Sequence, residues 1–318
     1  MDRHSQTVNT AGRFGFRFWT PVAGATIEVG AERQPFLLPV LPLPVRSGGE
    51  PDANAIGLGA YDFLRQFPEA EFAREYAELL RDAFPHYLND LAAQIIMINE
   101  KTVDAPYVQR KIAGLKILAL LDPGHAPLLQ QLGSAYWDLG LMFSELGRCR
   151  SHFLAAMKFL QQALAADGGN LAALNLLAQI DYWFGDYPTA RMRWSQVVAG
   201  IAPGAAREEL LAKIRRIDEL AVPDHPVVDD LETIGSALTL LGADDYAAAR
   251  DLLEALEADG TLINEMPMAE FFAVLGLCRE HCGDAGGAQV AYDQALALDA
   301  ECSEAMAGCK RIAQGGKG

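Results

Sequence analysis

The residues of this chain best suited to chemistry are thiols. Cys278, His281 and Cys282 lie within about one helical turn of each other, and Cys302 and Cys309 follow in a later helical segment. Cys278 and Cys282 are four apart and so share one face of a helix. Thiolate and imidazole together could hold a soft divalent metal, but the spacing is not that of a zinc finger. A small thiol also serves wherever a helix face needs a small apolar side chain. Cys278, Cys282, Cys302 and Cys309 therefore stand as weak metal candidates, and no cofactor is expected. The chain has 5 cysteines, an odd number, which does not make a disulfide framework and suits reduced, mostly buried thiols.

A second group able to meet a ligand is aromatic: Tyr136, Trp137, Tyr182, Trp183 and Trp194. Catalytic signatures do not occur. Gly57-Leu58-Gly59 lacks the Lys-Ser/Thr that a phosphate loop needs. There is no Gly-x-Ser-x-Gly elbow and no His-Glu-x-x-His pair. The expectation is a chain that binds rather than one that catalyses.

What must position these residues is helical. Of the 318 residues, 51% are hydrophobic, ample for a sizeable core. No run of about 18 apolar residues occurs, so no membrane span is expected. The polar start, Met1 to Gln6, argues against a secretory leader, and a cytoplasmic protein is the simplest expectation. The net charge of −16 is uneven. Residues 1–216 carry 21 Lys/Arg against 22 Asp/Glu, residues 217–305 carry 2 against 20, and the last thirteen are basic. An acidic field of that size repels phosphate backbones, so nucleic acid is a poor partner and a basic surface a better one.

The first 50 residues differ in kind. Phe14, Phe16 and Phe18 alternate with Gly15 and Arg17, a strand signal, and Thr26–Val29 follows a turn at Thr20–Gly24. These two segments predict a small β-hairpin. The apolar run Pro35–Val45 carries four prolines and must be extended. So large an apolar stretch should be covered, either by its own chain or by a neighbour; packing on its own chain is the expectation. Residues 51–125 read as helical, with a stripe at Phe72, Tyr76, Leu79, Leu80 and Phe84 and a degenerate helix pair across residues 86–123.

Downstream the chain repeats itself. Phe272, Leu275-Gly276, Gly283-Asp284, Ala288, Tyr292 and Ala295 recur in kind as Leu174, Leu177-Ala178, Gly185-Asp186, Ala190, Trp194 and Val197. A third unit has Ile234-Gly235, Gly242, Asp245-Tyr246, Ala249, Leu253 and Leu256, read with one extra residue in its turn. A fourth, over residues 126–167, has Leu139-Gly140, Gly147, Ala156 and Leu160 with a turn longer by a few residues. Small residues let two antiparallel helices approach, Gly-Asp ends one and caps the next, and the bulky residue stacks on the following pair. This pattern resembles the tetratricopeptide repeat family, with Ala300 in place of the usual closing proline. Residues 205–220 read as an inserted helix before the break at Pro223 and Pro226, and residues 301–312 as a capping helix.

The resemblance implies an all-α, right-handed α-solenoid of helix pairs with a short extended or hairpin arm. The organisation would be an arm over 1–50, a helical region over 51–125, repeats with the inserted helix over 126–222, and acidic repeats with a cap over 223–318. The resemblance also implies a concave face lined by first helices. That face would present Trp137, Asn175, Gln179, Tyr182 and Trp183, then Asp229, Glu232, Ser236 and Thr239, then Glu270, Ala273, Leu277, Glu280 and His281. The Lys and Arg that the family uses to clamp a peptide carboxylate are not at these positions. The function so implied is a scaffold for a protein or peptide, basic or amphipathic. The alternatives are self-assembly through the proline-rich arm, or a metal or small-ligand sensor at the Cys/His cluster.

Overall fold

The computed structural model describes residues 12, 14–46, 48–101 and 103–315. The polar start and Lys317 lie outside the described residues. The chain forms two compact units, residues 1–135 with 159–169, and residues 136–158 with 170–318.

The first unit begins with four short strands, β1 (Arg17–Trp19), β2 (Thr26–Val29), β3 (Gln34–Leu37) and β4 (Leu43–Val45). The expected hairpin of β1 with β2 does not form. Instead β2 pairs with β3, Ile27 opposite Phe36, and β1 pairs with β4, Phe18 opposite Pro44. Burial decides this. Leu38, Leu43 and Val45 are almost wholly removed from water, so the proline-rich segment must lie against the helices. It does so on α1 (Ala53–Gln66) and α2 (Ala73–Ala83). The Tyr76 hydroxyl donates to the Pro42 carbonyl, and Phe63 meets Phe16 and Phe18 edge-on at 5.4 and 5.6 Å. The arm therefore packs on its own chain, with Leu37 and Val40 left exposed.

Two glycines of α1 make that packing possible. A Cβ on Gly59 would come within 3.0 Å of the Val45 Cα, and one on Gly57 within 2.8 Å of the Phe84 ring. After α1 and α2 come α3 (Pro85–Asn99) and α4 (Ala105–Leu121), the helix pair expected over 86–123. Gly114 of α4 sits against Leu91 and Ile95 of α3.

Two helices, α5 (Ala126–Leu141) and α6 (Cys149–Ala166), run from one unit into the other, with a 3-10 turn, Phe143–Arg148, between them. The second unit continues with α7 (Leu171–Trp183), α8 (Tyr187–Gly200), α9 (Ala205–Asp218), α10 (Val227–Leu241), α11 (Tyr246–Asp259), the short α12 (Thr261–Glu265), α13 (Ala269–His281), α14 (Ala285–Leu298) and α15 (Ser303–Gly315). The inserted and capping helices are thus both present. Among the described residues no helix is long and apolar enough to cross a membrane.

Three of the helix pairs close with one turn. The first helix ends with a residue in the left-handed region, Gly185 at φ 80°, Asp244 at φ 60° and Gly283 at φ 85°. The next amide, of Asp186, Asp245 or Asp284, reaches back to the carbonyl of Asp181, Leu240 or Arg279 at 2.8, 3.0 and 2.9 Å. This is a Schellman closure. The same three aspartates then cap the second helix, accepting from Thr189, Ala248 and Gly287.

These shared bonds correct the reading of the third unit. Its turn carries no extra residue, because Leu240 to Asp245 closes as Asp181 to Asp186 does. Counting back from the closure, the small position matching Ala178 and Gly276 is the fully buried Ala237, not Gly235. Gly235 has a different contact. It meets the backbone of Gly147 in the 3-10 turn, and the longer turn of the fourth unit is packed there against α10.

Asp244 is the one non-glycine among the three left-handed closures, and it sets a carboxylate at a helix C-terminus, where the dipole is unfavourable to it. Asp244→Gly is expected to stabilise the chain by about 0.5–1 kcal/mol, less the entropy glycine adds to the unfolded chain. A melting temperature that falls in this variant would contradict the strain argument.

Candidate functional site

The amphipathic pattern of α7 places aromatic residues on the side it turns toward α5 and α8. Trp183 and Trp137 of α5 lie with ring centroids 4.7 Å apart, and Phe153 supports both, at 5.6 and 5.2 Å. Tyr182 packs on Trp194 of α8 at 5.6 Å. Trp194 is fully buried, and its indole Nε1 donates to Asn175 Oδ1 at 3.1 Å.

These side chains form one wall of a cleft of about 400 Å³ within the second unit. The opposite wall comes from α9 and from α12 with the residue after it. Lys213 Nζ donates to Gln179 Oε1 at 3.1 Å and lies 5.5 Å over the Trp194 ring. The Arg216 guanidinium is paired with Glu265, whose Oε2 also accepts from the Tyr182 hydroxyl at 3.2 Å. Burial and then the charge of Glu265 raise the Tyr182 pKa, so the phenol stays a donor. Met266 completes the rim. The floor is apolar, Arg216 is balanced by Glu265, and Lys213 brings a cation without a carboxylate inside the cleft; its ion-pair partner, Glu209, lies outside it.

Of the residues expected to face a groove, Trp137, Gln179, Tyr182 and Trp183 meet here. Asn175 is engaged beneath, holding Trp194. The acidic candidates lie elsewhere, and Asp229, Glu232 and Glu280 have partners. Arg150 of α6 takes both Asp229 and Glu232, the latter at 2.9 Å. Glu280 accepts from the Tyr292 hydroxyl at 2.7 Å and from Arg311 at 2.8 Å, and the Arg311 bond holds its carboxyl below the usual range. Ser236 and Thr239 donate to carbonyls of their own helix. His281 is stacked on Tyr246, centroids 3.8 Å apart and rings nearly parallel. Glu270 is exposed and Leu277 half-buried.

Sequence reasoning missed Lys213, Arg216, Glu265 and Met266. The cations at Lys213, Arg215 and Arg216 on the inserted helix were a signal for the first two. Nothing in the repeat pattern marked α12, which occupies the space between two repeats.

The thiols are structural in character. Cys278 and Cys302 are buried, Cys282 and Cys309 half-buried. Burial pushes the Cys278 thiol up to about 11 and that of Cys149 up to about 12, the reverse of what a nucleophile or metal ligand needs. Cys309 Sγ accepts from Gln289 at 3.3 Å. Among the described residues the four candidate cysteines do not bring three donors together. One buried carboxylate departs strongly from its usual range: burial pushes Asp181 up to about 6, with the Arg193 pair opposing and Asp186 adding to the rise.

No family model matches the chain, and no curated protein matches it. Solved structures do resemble it, and two of them are tetratricopeptide repeat proteins. One is the tetratricopeptide repeat domain of P58(IPK), 14% identical over 72% of this chain, with a TM-score of 0.33; the match spans 65% of that domain, just under two thirds. The other is a tetratricopeptide repeat protein from Parabacteroides merdae ATCC 43184, 12% identical over 82% of this chain and 92% of that one, with a TM-score of 0.28. The fold described above stands on the chain's own helix pairs and their shared turn.

Proposed function

We propose that this chain is a non-catalytic binding scaffold that takes an amphipathic segment of a partner protein in the aromatic cleft of the second unit. The observation that carries this reading is the cleft itself, an apolar floor of Trp137 and Trp183 beside a small set of convergent polar groups. An ammonium has three donors. Lys213 directs one to Gln179 and pairs with Glu209 at 3.2 Å, leaving capacity for a carbonyl or carboxylate of a bound segment. Trp and Tyr give such surfaces large contact area at low entropic cost. A purely basic partner is less well supported, because Asp229, Glu232 and Glu280 already hold arginines of this chain.

Selection of peptides from a displayed random library on the full chain tests this. The expected binders carry apolar anchors at helical spacing and change the tryptophan emission. Trp137→Ala should weaken them by about 2 kcal/mol, roughly thirtyfold. Lys213→Glu, a more exposed change, should weaken those with an acidic or carbonyl contact by about tenfold. Binders that hold wild type and both variants equally would place recognition elsewhere and overturn the assignment.

A further inference from the structure

Away from the cleft, the second unit holds a buried carboxylate with an oxygen that no group of the protein satisfies. Asp230, in the first turns of α10, is 4% exposed. Its Oδ1 lies 2.7 Å from His225 Nε2, while its Oδ2 is buried with no hydrogen-bond partner. An orphaned buried carboxylate oxygen carries a desolvation penalty that a cation would relieve. A third donor completes the arrangement. One ligand atom each from His225, Asp230 and Asp259 lie within 4.8 Å of one another, the only such trio of His, Cys, Asp or Glu donors among the described residues.

We infer that His225, Asp230 and Asp259 form a site for one divalent transition-metal ion of the manganese-to-zinc class, clamping the loop before α10 to the end of α11. The donor set is one imidazole and two carboxylates, which suits that class and not a thiophilic ion. Metal–ligand bonds of about 2.0–2.2 Å set neighbouring donors roughly 3–3.5 Å apart, so the trio needs only small side-chain movements to surround an ion.

The surroundings are built for it. His225 is held between Pro223 and Pro226, and Pro226 is the N-cap of α10, so the loop has little freedom. Asp259 is the last residue of α11, and its Oδ1 accepts from the Thr261 amide at 3.1 Å. A carboxylate retains acceptor sites beyond that bond. Asp259 is exposed, so the open side of the site admits water as the remaining ligands. Residues 217–305, with 20 acidic against 2 basic side chains, supply a field that draws a cation in. A protonated His225 would satisfy Oδ1 alone and leave Oδ2 as it is.

The test is manganese(II) chloride added to the full chain after dialysis against a chelator, followed by loss of the free-ion resonance. Manganese is chosen because the five thiols compete poorly for it. One equivalent is expected to bind at about 100 μM or tighter, and the melting temperature should rise with it. His225→Ala and Asp259→Asn, both at exposed or half-exposed positions, should each weaken binding at least about tenfold while melting normally without metal. Asp230→Asn should do the same if it folds. Absence of manganese binding in the wild-type chain, or binding that survives both His225→Ala and Asp259→Asn, overturns the inference.

Discussion

Gly235→Ala is expected to destabilise the chain by about 3 kcal/mol, although alanine is the better helix former by about 1 kcal/mol. The methyl group has nowhere to go. A Cβ at this position would lie 2.9 Å from the Leu146 carbonyl carbon and closer still to the Gly147 backbone. A clash with a side chain can be relieved by a rotamer change, whereas this one requires α10 or the 3-10 turn to move. Such a movement also disturbs the ion pairs that Arg150, at the start of α6 just after the turn, makes with Asp229 and Glu232 of α10. At about 2–4 °C per kcal/mol for a unit of this size, the melting temperature should fall by roughly 6–12 °C. The contact supplies its own control. A Cβ on Gly147 would be no nearer than 3.7 Å to Gly235, ordinary van der Waals separation, so Gly147→Ala should be nearly neutral. Equal effects of the two substitutions would show that the close approach is not what limits position 235.

The second large effect is Trp194→Ala, expected to cost about 3–5 kcal/mol in thermal or urea melts. The side chain is fully buried, packs on Tyr182, and spends its indole N–H on Asn175. Its removal opens a void beneath the cleft and leaves the Asn175 oxygen without its donor. Trp194→Phe separates the two terms. It keeps most of the packing and loses the hydrogen bond, for an expected cost of about 1–2 kcal/mol. If the alanine variant melts within about 1 kcal/mol of wild type, Trp194 is not the keystone of the α7–α8 pair.

Much of the fold was legible because the signals are local. A glycine in the left-handed region followed by a capping aspartate is a property of two adjacent residues, and it marked the turns at Gly185-Asp186 and Gly283-Asp284 directly. In the third unit the same turn is written with Asp244, and without the glycine the frame was misjudged, so that Gly235 was taken for the small packing position that Ala237 fills. Half of the cleft was legible for a related reason, since Trp137, Gln179, Tyr182 and Trp183 sit on repeating helices at repeat-defined positions. The other half lies on α9 and around α12, which no periodicity governs.

By itself the sequence determined the helix pairs, their caps, the extended course of the proline-rich arm and the uneven charge. Each of these follows from near-neighbour stereochemistry or from composition. Tertiary structure alone decided which strand the arm pairs with, why Gly57 and Gly59 must be small, which acidic side chains are neutralised by Arg150, Arg279 and Arg311, and where His225, Asp230 and Asp259 meet. These are contacts between segments far apart in the chain, such as Gly147 with Gly235. Their choice depends on competition for burial among surfaces that local pattern cannot rank.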